Sequence, residues 1–225
     1  MRHLLTGAGS GIGQVLADLL HARGDELVLL ARSDERADDL AARYPGSQLL
    51  VADLADPASL DEIALPGALD SLVHAAGVVD LGPVAELSTG SWTHQLNVNL
   101  VAPAALTRLA LPALRAARGT VVLVNSGAGR AAHPQWSAYA ASKHGLVALA
   151  DSLRGEEAGH GVRVTSIYPG RTATPMQALV HEQEGRTYDA AAWIDPATVA
   201  EAIRHVLDLP RDSTIPDVVI KPGPR

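Results

Sequence analysis

The chain has 225 residues, of which 47% are hydrophobic and 19% charged, with a formal net charge of −7. This is the composition of one ordinary globular domain, and the acidic balance excludes the basic footprint of a nucleic-acid or anionic-membrane binder. No cysteine is present, which excludes disulfides, a thiol nucleophile and Cys-based metal sites. The apolar run after Met1 is short and passes directly into glycines, so it does not read as a signal peptide. No stretch reads as long and apolar enough to span a bilayer, and a cytoplasmic protein is expected.

His3, Leu4 and Leu5 form a first apolar strand that stops at Thr6, Gly7, Ala8, Gly9, Ser10, Gly11, Ile12 and Gly13. Ile12, Val15, Leu16, Leu19 and Leu20 then fall at helical spacing on one face. Strand, glycine turn and helix are the context of a phosphate-binding loop. Glycines admit a close backbone approach, and the helix N-terminus offers N–H groups and a positive dipole end. The glycine spacing is not the literal G-x-G-x-x-G fingerprint.

Residues 26–31 form a second buried strand, followed by Arg32 and Ser33. At this place a carboxylate accepts from the ribose 2′-hydroxyl of NAD, whereas Arg accommodates the 2′-phosphate of NADP. Arg32 therefore points to NADP(H) over NAD(H), against the alternative of a solvated Arg opening a helix over 34–43. A third strand, 49–52, ends at Asp53 and Leu54. Asp53 either accepts from adenine or caps the helix after Pro57. A fourth strand closes on Ala75, Ala76 and Gly77, small residues that suit close approach to a ligand.

A long helix is expected from about 88 to 111, bent at Pro103, with Asn97 and Asn99 in its middle. The fifth strand, 119–125, delivers Ser126 to its C-terminal end, where ligands bind in such sheets. A helix over 137–154 follows, then a sixth strand over 162–168 leading to Pro169 and Gly170. Residues 171–194 lose regular periodicity and read as an irregular lid. A helix over 196–209 and a strand over 217–221 complete the chain. Strand–helix alternation on this schedule predicts an α/β fold: one doubly wound, seven-stranded parallel sheet of Rossmann type, helices on both faces, in a single domain over 1–225.

The chemistry concentrates in residues 126–143. Tyr139 and Lys143 stand four apart and share a helix face. A phenol titrates near 10, and a neighbouring ammonium lowers it. A fall of about three units, roughly 4 kcal/mol, brings it near working pH. Ser126 stands thirteen residues before Tyr139, placed to hydrogen-bond the same substrate oxygen. This is machinery for moving a proton on and off an alcohol or carbonyl. The pair is informative because the chain has only two lysines, Lys143 and Lys221, and four tyrosines. None of the nine histidines has metal-ligand spacing, so no metal site is expected. His3, His21, His94, His160 and His205 read as ordinary surface or boundary residues, and His133 as a neighbour of the site. The helices over about 97–114 and 137–154 are apolar nearly all round, which suggests a homodimer or homotetramer built through them.

Together these residues resemble the short-chain dehydrogenase/reductase family over nearly the whole chain. Residues 6–13 are similar to its T-G-x-x-x-G-x-G turn, and Asp53-Leu54 to its adenine-binding segment. Asn99, Ser126, Tyr139 and Lys143 fall where the family has its catalytic tetrad. Pro169-Gly170 with Thr172 and Thr174 resembles the segment that holds nicotinamide. The chain departs from the pattern at His74-Ala75-Ala76-Gly77, where the family has N-A-G and its Asn helps join the central strands. The resemblance implies hydride transfer between nicotinamide and a carbonyl or secondary alcohol. Tyr139 would be the acid/base and Ser126 would steady the oxygen. Lys143 would lower the phenol and hold the ribose, and Asn99 would orient a water. The apolar lid suggests a small or medium hydrophobic carbonyl substrate. Two other readings compete: a non-catalytic dinucleotide-sensing or scaffold protein on the same fold, and an epimerase or dehydratase, which would need a larger substrate domain.

Overall fold

The computed structural model describes residues 1–223. Seven strands form one parallel sheet: β1 (Arg2–Thr6), β2 (Glu26–Ala31), β3 (Gln48–Val51), β4 (Ser71–His74), β5 (Thr120–Val124), β6 (Arg163–Pro169) and β7 (Asp217–Ile220). Their spatial order is β3-β2-β1-β4-β5-β6-β7. Helices α1 (Gly11–Ala22), α2 (Asp34–Arg43) and α7 (Pro196–Leu207) pack on one face, and α4 (Ala102–Ala117) and α5 (Ser137–Glu157) on the other. Strand periodicity explains why two faces are needed. Leu5, Leu27 and Leu29 enter the first core, while Leu4, Val28 and Leu30 enter the second. Successive side chains point to opposite faces, so an apolar run with no polar alternation must be covered twice.

The strand order turns back between β1 and β4, the place where such sheets open a crevice at their carboxyl ends. Register aligns Thr6 with both Leu30 and His74, and His74 with Leu123. The loops after β1, β4 and β5 therefore leave the sheet side by side.

The expected helix over 88–111 is three pieces: α3 (Thr89–Leu96), a π-helical turn (Asn97–Val101) and α4. The interruption is the π turn, which ends just ahead of Pro103 in the first turn of α4. Single π turns inside helices gather at functional sites, and this one carries Asn99. The composite run Thr89–Ala117 also corrects the expectation about bilayer-spanning length. It is long and apolar enough by composition, at mean hydropathy 1.3. Its Leu106, Ala110, Ala113 and Leu114 are nonetheless core residues packed with Leu72, Val121 and Leu123 of the sheet.

Residues 171–194 are not irregular. They contain α6 (Pro175–Gln183), whose N-cap Thr174 accepts from the Gln177 amide at 3.3 Å. A parallel bridge between Thr172 and Ile194 ties the base of the segment. The helix expected after Pro57 is a 3-10 helix (Pro57–Glu62) with Asp56 at its cap, while Asp53 accepts from the Ala55 amide at 2.9 Å. Part of the apolar excess of α5 is met inside the chain. A Cβ on Gly145 would lie 2.5 Å from Leu100, so the π turn sits directly on that helix. Ala141, His144, Ala148, Asp151, Ser152, Gly155 and Glu156 are what α5 presents to solvent.

His3 is fully buried, contrary to its reading as a surface or boundary residue. Its Nδ1 meets Ser71 Oγ at 2.7 Å and its Nε2 lies 3.4 Å from Asp25. Ser, His and Asp in a row suggest a nucleophile, but Ser71 has no exposed surface and begins β4, at the end of the strand away from the crevice. The trio is a structural tie.

Candidate active site

The loop after β1 is built to lie close to the end of β4. The buried Thr6 hydroxyl accepts from the Ala76 amide at 3.1 Å. Gly7 has φ +76°, and a Cβ there would sit 2.6 Å from the Ala76 nitrogen. A Cβ on Gly13 would overlap the Gly7 carbonyl. Only glycine permits this approach. Ser10 caps α1 in extended backbone, its side chain makes no capping bond, and the first turn holds no acid. The unpaired amides at the start of α1 therefore face no competing carboxylate, which suits an anion.

The candidate proton-handling groups come from the end of β5 and from α5. The Ser126 amide donates to Asn125 Oδ1 at 2.8 Å, and Asn125 Nδ2 donates to the Lys143 carbonyl at 3.2 Å. The buried Asn125 thus fixes the strand end to the helix. Trp136 packs edge-on to Tyr139 with ring centroids 5.7 Å apart. Gln135, just before it, holds φ +70°, and its carbonyl accepts from the Gly82 amide at 2.8 Å. A non-glycine residue held there beside a cleft is local strain maintained by its surroundings. Asn99 spends its amide on the Val78 backbone, at 2.9 Å in both directions, and on Ser142 Oγ at 3.0 Å. Ser142 donates onward to the Tyr139 carbonyl at 2.7 Å. Neither Asn125 nor Ser142 was singled out from sequence, because each acts through a contact between separate elements.

Lys143 Nζ donates to the Val124 carbonyl at 3.1 Å and lies 5.7 Å from the Tyr139 ring centroid. Burial lowers this ammonium to about 8. The expected lowering of the phenol is not what this geometry gives. Burial raises the Tyr139 hydroxyl above its ordinary value, with a hydrogen bond to Ser126 pulling the other way. Desolvation wins because Lys143 sits beside the ring and is turned to the strand end. His74, at the end of β4 beside the departure from the family's N-A-G pattern, is buried with Nε2 2.9 Å from Thr107 Oγ1. Burial first, then the Lys143 charge, hold it neutral with its pKa lowered to about 3. It ties β4 to α4, and the sheet register stays intact around it.

A cleft of about 660 Å³ joins these parts, running from Gly7, Ser10 and Gly11 to Ser126, Tyr139 and Lys143. Ile12, Ala75–Gly77, Pro169, Gly170, Thr172, Thr174 and His133 also line it. Thr6, Gly9, Gly13, Arg32, Ser33, Asp53, Leu54 and Asn99 lie outside its lining. Of these, Ser33 caps α2 by accepting from the Arg36 amide, and Arg32 is exposed just past β2. Near Tyr139 the walls are Val79, Trp136, Met176 and Val180, apolar as expected. The rim is not: Arg171, Glu184 and Arg186 also line the cleft. Among the described residues no group of three His, Asp or Glu side chains could hold a metal ion.

A doubly wound parallel sheet with a glycine loop at its reversal point and a Tyr–Lys helix at the adjoining strand ends defines a Rossmann-type nucleotide-binding protein. Within that class, the chain matches the short chain dehydrogenase family over residues 2–185 and belongs to it. It is an oxidoreductase of that family. It is 35% identical over 201 residues to dehydrogenase/reductase SDR family member 7B of Bos taurus, covering 82% of this chain and only 62% of that relative's length. An uncharacterized oxidoreductase of Staphylococcus aureus is 26% identical over 227 residues, 97% of this chain and 96% of that one. A solved short chain dehydrogenase/reductase family protein superposes with TM-score 0.86 at 29% identity, covering 98% of this chain and 95% of that one. A Beutenbergia cavernae structure with NADP at low occupancy, provisionally assigned as an NAD(P) dependent gluconate 5-dehydrogenase, superposes with TM-score 0.83 at 31% identity over 98% and 94% of the chains.

Proposed function

We propose that this protein is an NADP(H)-dependent oxidoreductase that interconverts a carbonyl and its alcohol, with Tyr139 exchanging the proton on the substrate oxygen. The observation that carries the reading is one cleft that joins the glycine loop to a buried phenol and ammonium and a half-buried serine hydroxyl. The side-chain-free glycine turn and the uncontested amides of α1 fit a pyrophosphate. Residues 6–13 would hold it, and Arg32 with Ser33 the 2′-phosphate. Asp53 and Leu54 would bound the adenine, with Ala75–Gly77 along the cleft floor. Pro169, Gly170, Thr172 and Thr174 would hold the nicotinamide. The cofactor, when bound, supplies or accepts the hydride. Tyr139 donates or takes the oxygen's proton, and Ser126 hydrogen-bonds that oxygen as charge develops on it. Lys143 supplies the positive charge that favours the phenolate once the proton has left. Asn99 positions α5 through Ser142; orienting a water for proton exit is a second role we assign to it.

The pH dependence follows. Reduction needs the phenol protonated and the ammonium charged. The phenol is raised and Lys143 lies near about 8. Reductive kcat/KM is therefore expected to stay flat through neutral pH and to fall above about pH 8 as Lys143 loses its proton. Alcohol oxidation, which needs the phenolate, should instead rise with pH. Parallel profiles in the two directions would contradict the assignment.

A carbonyl panel with NADPH, read by nicotinamide absorbance, tests the function itself. Consumption of NADPH should require both the carbonyl and an intact Tyr139. Tight NADPH binding with no turnover of any carbonyl or alcohol would favour the non-catalytic reading. We further infer self-association through α4 and α5; sedimentation at micromolar concentration should give a dimer or tetramer, and a monomer would remove that inference.

A further inference from the structure

The protein is acidic overall, yet among the described residues the charged side chains lining its cleft are Lys143, Arg171 and Arg186 against Glu184. Two of the three cations are committed. Lys143 is bonded to Val124, and Arg171 grips both oxygens of Glu184 at 2.9 and 2.6 Å while stacking over Trp193. That grip, more than any other contact, holds the Glu184 carboxyl below its ordinary value. Arg186 reaches the same carboxylate only at 3.8 Å, with its side chain 68% exposed. The carboxylate's charge is already met, so the second guanidinium leaves the rim with one positive charge in excess.

Its position says which end of the cleft it serves. The first residue of the α6 segment, Thr174, lies against Gly11 of the glycine loop. The far end of α6 is pinned by Gln183, whose Oε1 accepts from the Leu81 amide at 2.8 Å. Leu81 packs in the apolar cluster that holds Tyr139 and Trp136. Arg186 follows that far end, its amide bonded to the His181 carbonyl at 2.8 Å. Arg186 therefore follows the end of α6 that is tied to the Tyr139 cluster, and not the end that touches the glycine loop.

Resting on the function proposed above, we propose that Arg186 receives a carboxylate on the substrate, so that the substrate class is a short oxo acid and its hydroxy acid. The apolar walls formed by Val79, Met176 and Val180 would cover the carbon chain, Tyr139 and Ser126 take the carbonyl, and the guanidinium fork takes the far carboxylate. Net positive charge in a low-dielectric cleft also concentrates anionic substrate.

The test compares acetoacetate with acetoacetamide and levulinate with levulinamide, pairs that differ in charge at nearly constant size. In the wild-type holoenzyme the acid should exceed its amide in kcat/KM by at least about tenfold in one pair, and Arg186→Gln should bring that ratio to about 1. Arg186→Lys, which keeps charge without the fork, should recover an intermediate ratio. A wild-type ratio near 1, or one that Arg186→Gln does not move, overturns the proposal. Failure of the broader function reads differently: neither member of either pair is reduced. Thermal shift then decides. Levulinate raising the wild-type Tm but not that of Arg186→Gln supports the carboxylate site, and equal or absent shifts overturn it.

Discussion

Tyr139→Phe should lower carbonyl turnover by about a thousandfold, a loss of roughly 4 kcal/mol in transition-state stabilisation, while the protein stays folded and still binds NADPH. The substitution keeps the ring that packs against Trp136 and removes only the hydroxyl. Losing one buried hydroxyl bonded to Ser126 costs stability by about 1 kcal/mol. The kinetic loss is larger because no other acid stands beside it. Ser126 is a poor proton donor, and Lys143 is turned to the Val124 carbonyl. A matched fall in NADPH affinity would mean that the ring had moved; turnover within tenfold of wild type would remove Tyr139 from the chemistry.

The second large effect is on stability in acid, and it comes from His74. In the fold this imidazole is buried and neutral, with its pKa lowered from 6.5 to about 3. The unfolded chain takes up the proton at about 6.5 and the folded chain does not. Stability is therefore lost as pH falls below 6.5, and the loss levels off only near 3. Between pH 7 and pH 5 the single group should account for about 2 kcal/mol. The comparison is with His74→Asn, which cannot titrate. Wild type should lose about 2 kcal/mol more than the variant over that interval in urea unfolding, whatever constant offset the substitution introduces. Parallel curves would show that His74 is protonated in the fold. The lowered His3, buried between Ser71 and Asp25, acts in the same direction in both proteins and cancels in the difference.

What was legible in the sequence follows from where its information lies. The glycine turn, Tyr139 with Lys143 and the order of strands are local patterns, and each is read from neighbours within a few residues. Asn125, Ser142 and Gln135 position the phenol through bonds to residues far along the chain or to backbone, and no spacing announces such partners. The π turn at Asn99 looks like continuous helix because its side chains keep a helical pattern. The α6 segment does carry a local signal: Thr174 then Pro175 is a helix start, and Met176, Leu179 and Val180 fall at i, i+3, i+4. Arg171, Glu184 and Arg186 read as loop charges. Only the bridge between Thr172 and Ile194 and the return of α6 bring them to one rim. Helical spacing shows the charge beside the phenol but not its burial, and in the fold burial is the larger influence.

The proposed dinucleotide site reads a 2′-phosphate and serves a redox reaction. Its most direct test is titration of the purified protein with NADPH and with NADH, followed by nicotinamide fluorescence, in wild type and Arg32→Asp. NADPH should bind at least about tenfold tighter than NADH, and Arg32→Asp should reverse the order. NADH binding tighter in the wild type would contradict the assignment of Arg32, and binding of neither would contradict the dinucleotide site itself.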